Sequence, residues 1–257
     1  MIDFHSHILP GIDDGSEDVD TSLKMLSASF AGGVDTVLLT PHCHPRSQEH
    51  IDRFLENRDN AFKTLSSAIK GQELPKIVPA SEIRIYADFH KYKRLDELCI
   101  SGTNYILLEM PYEVWRDYAF EEIYQLTRLG FKPIMAHLDR FLDQEKHFRE
   151  IYSLQALVQM NTSAFLETAT RKKMAKFFEQ GHIHVLGSDT HDLTERKPDM
   201  AEAYDVISKK FGKEYIDYIN YAGSNILQNK DVSPSNFPKM NLMKKLLMIC
   251  QTKCNIF

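Results

Sequence analysis

The sequence predicts an α/β barrel, a parallel sheet wrapped by helices, with the C-terminal ends of the strands sharing one face. Three observations predict it. Seven short apolar, β-branched-rich runs alternate with longer segments of helical periodicity, the pattern of a parallel sheet. Gly32 and Gly33, Gly130 and Gly181 each stand where a helical segment ends and the next strand begins. Each apolar run leads into polar side chains, most of them able to bind a metal, and barrels build their active sites at those ends.

The first run, 2–5, opens the chain in "MIDFHSHILPGIDDG" and reaches His5 and His7, with Asp13 and Asp14 close behind. A helical pattern over 20–31 separates it from the second run, 36–40 ("TVLLT"), which leads to His42. A long helical pattern over 47–70 precedes the run 77–80 and then Glu82. The run 105–108 ("YILL") delivers Glu109, and 118–129 reads as a helix. The run 133–136 delivers His137, and 156–160 delivers Asn161. After a helix over 170–180, the last run, 184–187 ("HVLG"), leads to Asp189 and His191. No long linker or low-complexity segment interrupts the chain before residue 231. Residues 1–231 are therefore expected to form one barrel domain, and 232–257 a basic, apolar C-terminal tail.

With 257 residues, 43% hydrophobic and 26% charged, the chain is long enough for one large core and has an ordinary soluble composition. No stretch approaches the ~18 apolar residues of a membrane span. The opening segment lacks the basic start and apolar run of a signal peptide, so a cytoplasmic location is expected. Cys43, Cys99, Cys250 and Cys254 are scattered, with no CxxC pair, which argues against a disulfide framework and a zinc ribbon. Cys99 reads as a core residue and the others as free thiols. The net charge of -5 disfavours nucleic acid as a partner. Bound divalent ions would nonetheless make the substrate site locally positive.

His5 and His7 are two apart on an extended segment and point the same way; Asp189 and His191 repeat that spacing in "GSDTH". One such pair is weak evidence, but a set of polar residues at seven strand ends is not readily accidental. Imidazoles and carboxylates without thiolates favour Mn, Fe, Co or Zn. The set is too large for one ion and suits a cluster of two or three, which would acidify water and grip anionic oxygens. Arg140 follows His137 by three residues, and Arg196 follows His191 by five. Either alone reads equally well as a solvated surface arginine. Both beside the polar cluster favour a site for phosphate, which a guanidinium fork matches.

Together, "FHSHILPGIDDG", "TPHCHP", "SEIRIY", "LLEMP", "AHLDRF" and "GSDTH" resemble the PHP (polymerase and histidinol phosphatase) superfamily. Within it the chain is most similar to the metal-dependent protein-tyrosine phosphatases encoded beside bacterial capsule and exopolysaccharide genes, over about residues 1–230. The resemblance implies a distorted seven-stranded (β/α) barrel with a trinuclear, usually manganese, centre at the strand ends. It implies that His5, His7, Glu82 and Asp189 hold one ion, that Glu82, Glu109 and His137 hold a second, and that Asp14, His42 and His191 hold a third. Glu82 would bridge, and Arg140 and Arg196 would contact phosphate. Asp13 competes with Asp14, and spacing does not separate them. Ser81 and Asp139 depart from the commoner residues of the family without touching a ligand position.

The activity so implied is hydrolysis of phosphotyrosine on a bacterial protein, such as a tyrosine kinase regulating capsule synthesis, by attack of a metal-bridging hydroxide. Tyrosine's phenolate, with a solution pKa of about 10, leaves more readily than an alkoxide. No cysteine nucleophile is required. Rival readings are a PHP-type hydrolase for a small ester such as histidinol phosphate, and a non-catalytic, metal-stabilised phosphotyrosine-binding module. An amidohydrolase shares the HxH start but fits Asp14, His42 and the terminal DxH less well.

Two weaker features remain. Tyr112, Trp115, Tyr118 and Phe120 follow Glu109 and could form an aromatic wall for a phosphotyrosine ring, or simply pack the barrel rim. Beyond Asp231 there are no acidic residues, while Lys239, Lys244, Lys245 and Lys253 accompany apolar residues at helical spacing. That tail could lie on a membrane surface, dock a membrane-bound kinase, or pack on the barrel.

Overall fold

The computed structural model describes residues 1–232, within which nine parallel strands form two sheets, ordered β1-β2-β4 and β3-β5-β6-β7-β8-β9. These are β1 Ile2–Asp3, β2 Thr36–Leu39, β3 His42–Cys43, β4 Lys76–Pro79, β5 Glu82–Arg84, β6 Tyr105–Glu109, β7 Lys132–Met135, β8 Leu157–Asn161 and β9 Val185–Gly187. The seven apolar runs become nine strands because two short ones, β3 and β5, lie beyond the ends of the second and third runs, each set off by a break opposite the other. Extending the register of Leu39 on Pro79 places Pro41 beside Ser81, and Pro41 has no N–H to offer the ladder. The Ala80 N–H still donates to the Leu39 carbonyl at 2.9 Å and the Glu82 N–H to the Pro41 carbonyl at 3.1 Å, so the path continues across the gap. His42 and Glu82 consequently start strands rather than follow them.

Residues 4–7 lie between the second and the last runs. The Phe4 N–H donates to the Leu186 carbonyl, the Asp189 N–H to that of His5 and the His7 N–H to that of Thr190, at 2.8–3.0 Å. On the other side the Thr40 N–H donates to the Ser6 carbonyl at 2.9 Å. The curled sheet thus brings the HxH segment beside "SDTH".

Helices α1 (Val19–Ala31) and α2 (Gln48–Ala68) start at Asp18 and Ser47, whose side chains accept the Thr21 and His50 N–H groups. They are followed by α3 (Asp117–Arg128), α4 (Phe148–Ser153), α5 (Ser163–Leu166) and α6 (Thr168–Glu179). Two further helices, α7 (Met200–Lys210) and α8 (Lys213–Leu227), follow β9 and were not anticipated. Val37, Leu39, Ile106, Leu108 and Val158 pack against the helices in the larger core. Alternate strand residues, including Leu38, Leu107, Ile134, Leu157 and Val185, form a second core with Tyr218, Ala222 and Ile226 of α8. Glu109 and Gln159 lie two residues beyond Leu107 and Leu157, hence on the face of that second core.

Cys43 and Cys99 are buried and free. No helix among the described residues is long and apolar enough to cross a membrane. Apart from Val232, the tail expected over 232–257, including Cys250 and Cys254, lies outside the described residues.

Candidate metal centre

Glu82, at the start of β5, stands at the middle of the site. Its Oε1 is 2.6 Å from His137 Nε2, while its Oε2 is 2.7 Å from His42 Nδ1, 3.2 Å from His5 Nε2 and 3.4 Å from His7 Nε2. Asp189 Oδ1 lies 3.7 Å from His5 Nε2 and 3.5 Å from His7 Nε2. Glu109 Oε1 is 3.7 Å from His137 Nε2. Asp14 Oδ1 is 3.4 Å from both His42 Nε2 and His191 Nε2. All nine His, Asp and Glu residues of the family pattern fall into overlapping groups whose ligand atoms lie within 4.8 Å of one another. These are His7–Asp14–His42–His191, His5–His7–Asp189, His5–Glu82–His137 and His42–Glu82–Glu109. The proximities cross the divisions that the resemblance implies, since His7 also neighbours Asp14 and His42 also neighbours Glu109.

The two adjacent aspartates part company. Asp13 Oδ2 accepts the His7 Nδ1–H at 2.7 Å and the His42 N–H at 3.0 Å, and its Oδ1 accepts the Gly15 N–H at 3.1 Å. Burial alone would raise the Asp13 carboxyl, but these bonds, His7's foremost, hold it down at about 2. Asp14 is exposed and aims between His42 and His191.

The imidazoles are oriented from behind. His5 Nδ1 faces Gln159 Oε1 at 3.1 Å, His7 Nδ1 faces Asp13, and His191 Nδ1 faces the Asp189 carbonyl at 2.9 Å. Each Nε2 lone pair is thereby turned into the cluster, the usual arrangement behind metal-binding histidines. The Nε2 atoms of His5 and His7 stand 3.0 Å apart, so that only a proton or a cation between them relieves the repulsion. Glu82 Oε2, Glu109 Oε1, His42 Nδ1 and His191 Nε2 are buried without a hydrogen-bond partner, although His42 Nδ1 and Glu82 Oε2 lie only 2.7 Å apart. Buried polar atoms left this way require a counterpart, and divalent cations fit a nest of imidazole and carboxylate acceptors.

The charges agree with that need. Burial opposes ionisation of Glu82, yet His5, His137 and His42 hold its carboxyl well below the ordinary range. Asp189, likewise buried, is held well down by His5, His7, His137 and Arg140. His7 resists its burial and is raised well above an ordinary imidazole by Asp13, Asp189 and Glu82. His137 and Asp189 also have left-handed backbones, φ 32° and 54°, a cost that non-glycine residues bear where neighbours fix the geometry.

Arg140 donates from Nη2 to Asp189 Oδ2, and Arg196 Nη2 lies 2.7 Å from Asp189 Oδ1. Both arginines thus stand at the cluster edge, with about a third of each side chain still exposed, 32% and 36%. The aromatic loop divides. Trp115 is buried, stacks on Phe148 at 5.8 Å and donates its indole N–H to the Pro111 carbonyl, so it packs the rim rather than forming a wall. Tyr112 is exposed and covers the Arg84 guanidinium at 4.3 Å. Cys43, beside His42, is buried, and that burial pushes its thiol up to about 12, far from a thiolate nucleophile.

Gln159 was not singled out in the sequence. It is fully buried, accepts the His137 N–H at 2.7 Å as well as facing His5, and donates to Asn161 Oδ1 at 2.9 Å. Asn161 in turn donates to Asp189 Oδ2 at 2.9 Å, and its N–H donates to Asp139 Oδ1 at 2.7 Å. The available signal was a glutamine inside the otherwise apolar run "LVQM".

Similar proteins carry the same architecture. The tyrosine-protein phosphatase YwqE of Bacillus subtilis is 29% identical over 244 residues, covering 90% of this chain and 93% of that protein. The tyrosine-protein phosphatase CpsB of Streptococcus pneumoniae is 29% identical over 229 residues, 82% of this chain and 91% of that one. A solved structure from the pair YwqE of B. subtilis and CpsB of S. pneumoniae, described as unique metal-dependent tyrosine phosphatases, matches with a TM-score of 0.76 and 26% identity. It covers 91% of this chain and 96% of its own. An amidohydrolase structure from Mycoplasma synoviae shares the fold at a TM-score of 0.51 and 15% identity, over 96% of this chain and 94% of its own. The family model for capsular polysaccharide synthesis, CpsB/CapC, matches residues 1–228, and the chain belongs to that family.

Proposed function

We propose that this chain is a metal-dependent protein-tyrosine phosphatase acting on a bacterial phosphoprotein without a cysteine nucleophile. The observation that carries the reading is the convergence of nine imidazole and carboxylate side chains, among which Glu82 Oε2, Glu109 Oε1, His42 Nδ1 and His191 Nε2 are buried without a hydrogen-bond partner. The names of the relatives supply the phosphotyrosine class, and membership of a capsule-synthesis family favours a tyrosine kinase of that process as the substrate. We read the fold as a PHP-type barrel in which strand pairing breaks at Pro41, just past the second run, with the protein working in the cytoplasm.

Following the resemblance, His5, His7, Glu82 and Asp189 would hold one ion, Glu82, Glu109 and His137 a second, and Asp14, His42 and His191 a third, with Glu82 shared. Manganese suits this oxygen- and imidazole-rich set. When bound, such ions supply an acidified water and positive charge for the phosphoryl oxygens. Gln159 and Asp13 hold His5 and His7 with Nε2 inward. Arg140 and Arg196, anchored at Asp189, present their remaining N–H groups to the non-bridging oxygens. The leaving phenolate, with a solution pKa of about 10, departs without a dedicated general acid. The basic residues of 232–257 would bring the enzyme to an anionic membrane surface; equal sedimentation with anionic liposomes after truncation at residue 235 would remove that idea.

The test of the activity is turnover of a phosphotyrosyl peptide by the full chain. Chelator should abolish it, Mn(II) should restore it, and Cys43→Ala should retain it. Chelator-resistant turnover that Cys43→Ala destroys would replace this reading with thiol chemistry.

A further inference from the structure

We infer that a groove beside Asp14 and His42 receives an acidic residue flanking the substrate's phosphotyrosine, so that the enzyme selects acidic peptide context. The inference rests on the phosphatase reading above. The groove holds about 400 Å³ and is lined by Ile12, His44, Arg46, His50, Arg53, Phe54 and Asn57. None of these is a carboxylate, although the whole chain carries a net charge of -5.

Several observations make the groove a built feature rather than a chance run of cations. His50, Arg53, Phe54 and Asn57 occupy positions i, i+3, i+4 and i+7 of α2, hence one face of that helix. Arg46 is held from the opposite side: its Nε donates to the Tyr86 hydroxyl at 3.2 Å, its guanidinium lies 5.4 Å over the Tyr86 ring, and its carbonyl accepts the Tyr92 hydroxyl at 3.1 Å. Arg53 has a loose neighbour, Glu49, at 3.7 Å. Arg46, His50 and Arg53 are exposed and able to meet a ligand.

The groove adjoins the centre directly. The His44 ring lies 6.0 Å from that of His42, and Ile12 precedes Asp13 and Asp14 on the same loop. A phosphotyrosine that reaches Asp14 and His42 with its phosphoryl group would hold its own backbone at the rim, beside Arg46 and Arg53. A neighbouring Asp or Glu then meets Arg46 and Arg53, while Ile12 and Phe54 accept its methylenes. Complementary charge of this exposed kind tunes selection more than it tunes affinity, and it is screened by salt.

The experiment measures kcat/KM of the Mn(II)-loaded full chain on two phosphotyrosyl peptides that differ only in carrying acidic or isosteric amide residues beside the phosphotyrosine. A p-nitrophenyl phosphate rate reports the centre without the peptide. The wild type should favour the acidic peptide by roughly fivefold at low salt. In Arg46→Gln/Arg53→Gln the ratio should fall to about one, and in Arg53→Glu, a single exposed change, it should also fall. Equal turnover of both peptides by the wild type, or a preference that survives these substitutions, would overturn the groove and leave the phosphatase reading standing. Hydrolysis of p-nitrophenyl phosphate with neither peptide turned over would overturn both.

Discussion

Gln159 Oε1 lies 3.1 Å from His5 Nδ1, so a fully buried amide on β8 sets the tautomer of a histidine 154 residues earlier in the chain. The same oxygen accepts the His137 N–H at 2.7 Å, and the amide nitrogen passes the network on to Asn161 and Asp189. Replacing Gln159 by Leu keeps much of the volume and removes its own bonds to His5, His137 and Asn161. Mn(II) affinity should fall about 10- to 100-fold, and stability by roughly 1–3 kcal/mol, because the partners stay buried and unpaired. Titration calorimetry and denaturant melts measure the two effects, and unchanged metal affinity would deny Gln159 its positioning role.

Asp13 and Asp14 should respond differently to the same change. Asp14 faces His42 and His191, so Asp14→Asn should lower the number of metal ions bound per chain by one. Asp13 supports His7 from behind, so Asp13→Asn should keep the stoichiometry and weaken affinity by about tenfold or more. Elemental analysis of dialysed protein distinguishes the outcomes. Loss of an ion from the Asp13 variant alone would exchange the two roles.

Gly187 ends β9 against the HxH segment, where an added Cβ would meet His5 Cβ at 2.4 Å and the His5 nitrogen at 3.0 Å. Gly187→Ala must therefore push the first segment away from the last, at a cost of roughly 1–3 kcal/mol or more. Gly102→Ala meets no atom within 4 Å and suffers only its left-handed φ of 79°, a cost of about 1–2 kcal/mol. The first variant should lose metal and activity in parallel, and the second should keep both. Thermal melts with metal analysis check the pair.

His184 supplies a pH dependence remote from the metal centre. Its buried Nδ1 accepts the Val158 N–H at 3.0 Å, and burial, aided by His182, lowers its pKa to about 4. The unfolded chain, with a pKa near 6.5, then binds more protons than the folded one between these values. The stability contributed by the neutral ring is complete above about pH 6.5 and is lost as the pH falls toward 4, up to about 3 kcal/mol. In His184→Asn, whose side-chain oxygen can take the same N–H without titrating, stability should fall less steeply over that window. An identical slope in urea melts would exclude His184 as a source of acid sensitivity.

The polar residues at the strand ends were legible because strand termini in a parallel sheet have only one face on which to gather. Two kinds of feature were not. Supporting residues such as Gln159 and Asp13 act through partners far away in sequence, and Gln159 sits in an apolar run that periodicity assigns to the core. Trp115 read as well for a substrate wall as for packing, and only its stacking on Phe148 shows that it is packed. The break that sets β3 and β5 off from the second and third runs had a local sign in Pro41, whereas α7 and α8 lie beyond the last run on which the repeating pattern was built.

Metal-dependent phosphotyrosine hydrolysis is tested most directly by a parallel assay of chelator-stripped protein, with and without added Mn(II), on a phosphotyrosyl peptide, a phosphoseryl peptide and histidinol phosphate. Mn(II)-dependent turnover confined to the phosphotyrosyl peptide is the expected result. Turnover confined to histidinol phosphate, or metal binding with no turnover of any of the three, would contradict it.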